Sequence, residues 1–183
     1  MIICAGRNES FPFAKSIGVG LIESAINLTK ICLENKPDFL VFIGSAGSYG
    51  EYKIFDIIES SNASNIELSF FTGDSYTPLD NVIKTNNKSL ANDTIVNSSN
   101  YISTNENISK RFIQKKIGIE NMEFYALCQV AQKFDIDISG IFIVTNYTNK
   151  NAHEDFIKNH KLAMTKLVNY LAQNKYIVKK EDK

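Results

Sequence analysis

The fold this sequence predicts is an α/β sandwich around a mostly parallel or mixed sheet. Short, wholly apolar runs bounded by turn residues (MIICA, FLVFI, ISGIFIVTN) read as buried strands. Segments with apolar residues at helical spacing alternate with them, the pattern of helices packed on a sheet. At 183 residues, 44% hydrophobic and 22% charged, the chain has the size and composition of one soluble globular domain, taken as residues 1–183.

The elements follow in order. MIICA (1–5) is a strand ending at Gly6. After a loop containing Pro12, SIGVGLIESAINLTKICLEN (16–35) carries Leu21, Ala25, Leu28 and Cys32 on one stripe, a helix stopped by Lys36-Pro37-Asp38. FLVFI (39–43) is a buried strand, GSAGSYG (44–50) a glycine-rich turn, and KIFDIIESS (53–61) another strand. Residues 62–118 carry little signal: two short apolar pieces, Ile66–Phe71 and Thr94–Val96, then a polar stretch rich in Asn and Ser. IENMEFYALCQVAQKF (119–134) reads as a helix and ISGIFIVTN (138–146) as a strongly apolar strand. HEDFIKNHKLAMTKLVNYLAQ (153–173) is a closing helix, with Phe156, Leu162, Met164, Leu167 and Leu171 among its apolar positions. The charged residues Lys179 to Lys183 are expected to fray. In sheets of this kind ligands sit at strand ends, here where 44–50 and 145–151 emerge.

Composition excludes several function classes. Formal net charge is zero and the only arginines are Arg7 and Arg111, so there is no basic stripe for nucleic acid and little for bidentate phosphate recognition. No apolar run approaches the roughly 18–20 residues a membrane span needs. The start lacks a basic segment before its apolar stretch, so no secretory signal is expected and the cytoplasm is the expected compartment. Cys4, Cys32 and Cys128 lie far apart in apolar segments and read as buried free thiols; no metal site and no cofactor is expected.

Three stretches carry candidate chemistry. SIGVGLIE has G-x-G but Glu23 where a dinucleotide fingerprint needs its third glycine, so it reads as a glycine-rich helix start. GSAGSYG after an apolar strand lets backbone approach a ligand, although such a segment is often only a turn. In the 119–134 helix, Glu123 falls in register with Leu127, Val130, Ala131 and Phe134. A first-turn acid on a helix is ordinary. An acid facing the core needs donors, which a hydroxyl-rich ligand would supply.

Several segments agree in order with one family. SIGVGLIESA resembles its S-G-x-G-x-x-x-A-A helix start, and KPDFLVFIGSAGS its K-P-D-x-x-I-x-x-G-S-A-G-G strand and turn. KIFDIIESS resembles its K-x-G-D-I-V-x-S strand, NMEFYALCQVAQKFDI its E-M-E-x-x-A-x-x-x-V-A segment, and FIVTNYT sits where a strand ends in S-D. The chain thus resembles the purine and uridine nucleoside phosphorylase superfamily, and within it the methylthioadenosine/adenosylhomocysteine nucleosidases. The likeness spans most of the chain outside roughly 62–97. It implies a three-layer α/β/α sandwich with a central mixed sheet. It also implies cleavage of a purine nucleoside's N-glycosidic bond, and a homodimer or higher oligomer.

Position by position, the resemblance implies that Met122 and Glu123 hold the ribose hydroxyls, with Ser45 and Gly47 on the ribose or phosphate side. It implies Tyr101 against the purine ring and Glu9 as the base that activates water. Three departures matter. Asn146 stands where the family has the Asp that helps protonate N7, and an amide can hydrogen-bond there but cannot be a general acid. This leaves a preference for 6-oxopurines, slow turnover or lost catalysis open. Only about ten residues separate Gly6 from Ser16, so about two strands of the family's N-terminal region are expected to be missing. The phosphorylases' arginine before the glycine-rich turn is replaced by Phe42 and Ile43, which leaves Arg7 as the nearby candidate for phosphate. Hydrolysis is therefore the expected reaction. A phosphorylase using inorganic phosphate as co-substrate, or a nucleoside-binding protein without catalysis, are the alternatives.

Overall fold

The computed structural model describes residues 1–84 and 94–177. In chain order these form β1 (Ile2–Cys4), β2 (Lys15–Ser16), α1 (Gly20–Glu34), β3 (Phe39–Ser48), β4 (Ile57–Ser60), β5 (Asn62–Ser64) and α2 (Leu68–Thr72). Then come β6 (Val82–Ile83), β7 (Ile95–Ser98), α3 (Glu106–Gln114), β8 (Ile117–Asn121), α4 (Phe124–Lys133), β9 (Asp137–Tyr147) and α5 (Ala152–Gln173).

One mixed sheet organises the molecule, and β3 is its axis. Its whole length pairs in parallel with β9, from Phe39↔Asp137 to Ser48↔Tyr147. On its other edge β1 pairs with Val41 to Ile43, and β8, antiparallel, pairs only from Gly47 onward. That edge is therefore open between Gly44 and Ala46. β8 continues through β7, β5 and β6, while β4 flanks β9. Between β1 and α1 only the two-residue β2 intervenes, where the sequence had indicated missing strands.

Helices cover both faces, giving the three layers. On one face Leu28 and Cys32 of α1 and Phe124, Leu127 and Ala131 of α4 bury against Leu40, Phe42, Phe142 and Val144. The Phe124 and Phe142 rings meet edge to face at 5.1 Å, a favoured aromatic geometry. On the other face Ala163, Leu167 and Leu171 of α5 pack on Val41, Ile43, Ile141 and Ile143. The alternation of β3 and β9 between these two clusters explains why both strands read as unbroken apolar runs. All three cysteines are buried free thiols.

Several sequence readings need correction. GSAGS is not a turn: it is the second half of β3, because β9 supplies hydrogen-bond partners to its end. Residues 119–134 are not one helix. Ile119 to Asn121 belong to β8, and Asn121 ends the strand by accepting, through Oδ1, the N–H groups of Glu123 (2.8 Å) and Phe124 (3.0 Å). Glu123 is thus the N-cap residue of α4 and not part of its stripe. The first helix starts at Gly20, four residues later than Ser16, which lies in β2. The strand read over 53–61 is confined to Ile57–Ser60. In the weak-signal segment the structure adds β5, α2, β6 and α3, the last capped by Asn105, whose Oδ1 accepts from Asn107 N–H at 3.0 Å. The expected fraying at Lys179–Lys183 lies outside the described residues.

Candidate active site

A cavity of about 330 Å³ opens at the C-terminal ends of β1, β3 and β9, beside the turn from β8 into α4. That volume is in the range of small-ligand pockets. All eight residues singled out in the sequence line it: Arg7, Glu9, Ser45, Gly47, Tyr101, Met122, Glu123 and Asn146.

Glu9 arrives by a tight reversal after β1. Gly6 (φ 94°) and Arg7 (φ 54°) take left-handed conformations, and Glu9 N–H donates to Gly6 O at 3.0 Å. The carboxylate then lies along the open edge of β3, where Ser45 N–H donates to Oε1 and Oε2 at 3.3 and 3.2 Å and Ser45 Oγ–H to Oε1. Ser45 O, facing the same way, accepts from Asn121 Nδ2 at 3.2 Å. The glycine before it is required: a Cβ on Gly44 would sit 2.8 Å from Glu9 Oε2. Glu9 is 9% exposed, and burial raises its carboxyl above the usual range, opposed by the two Ser45 donors and by His160.

Glu123 reaches the cavity from the turn between β8 and α4 and is 3% exposed. Its Oε1 accepts Gly20 N–H at 2.9 Å, so it closes the N-terminus of α1. Burial pushes its carboxyl to about 7; the Gly20 donor pulls it down and the Glu9 charge pushes it up. Neighbouring donors of that helix end are taken separately, Val19 N–H by Glu23 and Leu21 N–H by Asn100, both at 2.9 Å.

A third carboxylate was missed in the sequence. Glu120 of β8 lines the cavity and accepts from Tyr49 Oη–H and Ser103 N–H, both at 2.9 Å; burial raises its carboxyl too. Gly47 pairs with Glu120 on one side and Asn146 on the other, so the three form a row across adjacent strands. A Cβ on Gly47 would lie 3.0 Å from Asn146 Nδ2 and 3.3 Å from Glu120 Cγ. Asn146 accepts from Thr145 Oγ1–H at 2.9 Å and donates through Nδ2 to Tyr147 O at 3.2 Å.

At the rim, Tyr101 is 83% exposed. Arg7 is also largely exposed, and its guanidinium lies 3.9 Å from Glu23 Oε2. From α5, His153 and Phe156 line the cavity, and His160 Nε2 stands 3.9 Å from Glu9 Oε1. These and Asn121 were also missed. The available signals were the i, i+4 spacing of Phe156 and His160, and the outward phase of Glu120 had IGIEN been taken as a strand. Among the described residues no group of three or more His, Cys, Asp or Glu is arranged to hold a metal, and no helix is long and apolar enough to cross a membrane.

No family model matches the chain, and no curated protein matches it by sequence. Solved structures do match. A mutant of the Helicobacter pylori methylthioadenosine nucleosidase, with 5′-methylthioadenosine in its active site, superposes at TM-score 0.77 and 16% identity, over 94% of this chain and 95% of that one. Futalosine hydrolase of the same organism gives 0.74 and 17%, over 93% and 94%. The Streptococcus pneumoniae methylthioadenosine/adenosylhomocysteine nucleosidase with a transition-state inhibitor gives 0.72 and 15%, over 93% and 95%. Such identities establish the fold alone, which this chain shares with these nucleosidases and the futalosine hydrolase.

Proposed function

We propose that this protein hydrolyses the N-glycosidic bond of a purine nucleoside, with water as the nucleophile and Glu9 as its base. The observation that carries the reading is that Glu9 and Glu123, more than a hundred residues apart in sequence, are buried on one nucleoside-sized cavity. The solved structures of like fold include nucleosidases, one of them with 5′-methylthioadenosine in its active site.

In this reading the sugar's 2′- and 3′-hydroxyls donate to Glu123 beside Met122, and Tyr101 covers the base. As the C1′–N9 bond lengthens, its electron pair leaves with the purine and positive charge develops on the ribose. A buried carboxylate stabilises that charge far better than water does. The water oxygen bonds C1′ while Glu9 takes its proton. A base is most effective when its pKa lies near the working pH, the direction in which burial moves Glu9. Asn146 offers a hydrogen bond to the purine's N7 edge or a 6-oxo group, and the departing base takes its proton from solvent. The reaction needs no cofactor. Phosphorolysis is the weaker reading, because Arg7 is turned toward Glu23. A nucleoside-binding protein without turnover is the second reading, favoured by the amide at position 146. We also propose a homodimer, in which a partner would cover the rim at Tyr101 and the neighbouring Ile102, both exposed.

The test is to measure methylthioadenosine and inosine binding and base release for wild type, Glu9→Gln and Glu123→Gln. Glu9→Gln is expected to bind and not release base, and Glu123→Gln to lose affinity. Release undiminished in Glu9→Gln would exclude it as the water base.

A further inference from the structure

His160 is a half-buried polar side chain that the mechanism above does not use. It lies on α5, two turns along from Ala152, with its ring against Phe156 at a centroid distance of 4.9 Å. Its Nε2 is buried and has no hydrogen-bond partner among the described residues. The polar atom it faces is Glu9 Oε1, at 3.9 Å. The position is fixed from the preceding residue: Asn159 Nδ2 donates to Thr145 O at 2.8 Å, which ties this turn of α5 to the end of β9.

We propose that His160 is a positioning residue for Glu9: its Nε2–H donates to Oε1, holds the carboxylate against Ser45 and keeps it in the form that accepts a proton from water. This rests on the hydrolytic reading for its catalytic consequence, but the pairing itself does not. A buried N–H without a partner costs on the order of 1–3 kcal/mol, so an unpartnered nitrogen beside an acceptor has a strong reason to engage it. The gap is about 1 Å longer than an N–H···O bond, a distance that a small rotation of either side chain closes. Glu9 needs the contact as well: burial opposes its charge, and Ser45 supplies the other donors.

The surrounding charged and titratable groups do not offer an alternative. The Glu9 charge raises both the Cys4 thiol on β1 and the Glu123 carboxyl on the α4 turn, so neither group brings a positive charge to Glu9. Arg7 is engaged by Glu23, and His153, also on α5, lines the cavity without a contact to Glu9.

Two measurements test the pairing, and only one needs turnover. The chain has only two histidines, so a ¹⁵N-histidine NMR spectrum of the full chain is readily assigned with a His153→Gln variant. One imidazole Nε2–H protected from solvent exchange is expected, and it should be lost in Glu9→Ala. Rapid exchange of both imidazoles, or a protected signal unchanged by Glu9→Ala, would overturn the proposal. The second measurement is the pH profile of kcat/KM for base release. His160→Phe, which keeps the ring packing, is expected to move the acid limb upward by about 1 pH unit as Glu9 loses a donor. KM should be little changed, and His160→Gln, which restores an N–H, should return the limb toward wild type. An acid limb identical in His160→Phe and wild type would overturn the positioning role. No base release from wild type would overturn the nucleosidase reading alone and leave the exchange measurement to decide the pairing.

Discussion

The Glu123 carboxylate accepts Gly20 N–H, with lesser support from Asn121 and the Met122 backbone, in surroundings that push its carboxyl to about 7. A carboxylate that is costly to ionise in the empty cavity gains most from hydroxyl donors of a ligand. Affinity for a purine nucleoside should therefore rise as pH increases through about 7 and be flat with pH in Glu123→Gln, as titration calorimetry at several pH values would show. Because Gln still accepts from Gly20 N–H and removes a buried charge, Glu123→Gln should melt no lower than wild type at pH 8. A large loss of thermal stability would instead mark Glu123 as a structural cap of α1. Asn146→Asp would restore a group able to donate a proton to the leaving purine. General acid catalysis is typically worth 10²–10⁴-fold, so adenine release should rise by at least about tenfold; an unchanged rate would remove the leaving group from the account of what limits turnover.

At the scale of elements, two glycines separate the site from the core. A Cβ on Gly44 would meet Glu9 Oε2 at 2.8 Å and the Phe42 ring at 3.2 Å, whereas one on Gly140 would meet the Phe142 ring at 2.3 Å and Phe124 at 2.9 Å. Gly44→Ala is expected to displace Glu9 and depress turnover strongly, and Gly140→Ala to cost about 1–3 kcal/mol in denaturant unfolding through overpacking with less effect per folded molecule. Equal effects on both measurements would contradict this division. The same elements show what the sequence made legible. β3, β9, α1 and α5 were readable because each has a long apolar run or stripe that its layer requires. The split of 119–134 was not, because IGIEN and FYALCQVAQK carry apolar residues compatible with either period, and the break depends on the Asn121 side chain. β5 and β6 are three and two residues long, too short to show a period. Glu9 and Asn146 were found by motif likeness, and Glu123 first by its register with apolar positions and then by likeness. Glu120 and His160 reach the cavity through tertiary packing, which leaves almost no local trace.

For the molecule as a whole, the site has an energetic cost. Glu9, Glu120 and Glu123 are buried on one cavity, and burial raises all three carboxyls. A raised folded-state value means stability that is fully present below the ordinary value of 4.5 and is lost as pH rises, through about 7 for Glu123. The ligand-free protein should consequently melt higher at pH 5 than at pH 8 by calorimetry, and a bound nucleoside should narrow the difference by stabilising the folded state. A melting temperature that rises over that range would mean these groups are paired more strongly than their surroundings indicate. The measurement that bears most directly on function is free-base release. The purified chain would be incubated with methylthioadenosine, adenosylhomocysteine, adenosine and inosine, each with and without phosphate, and the products separated by chromatography. Release that does not depend on phosphate and disappears in Glu9→Gln is the expected result; release only with phosphate, or none from any nucleoside that binds, would contradict hydrolysis by Glu9-activated water.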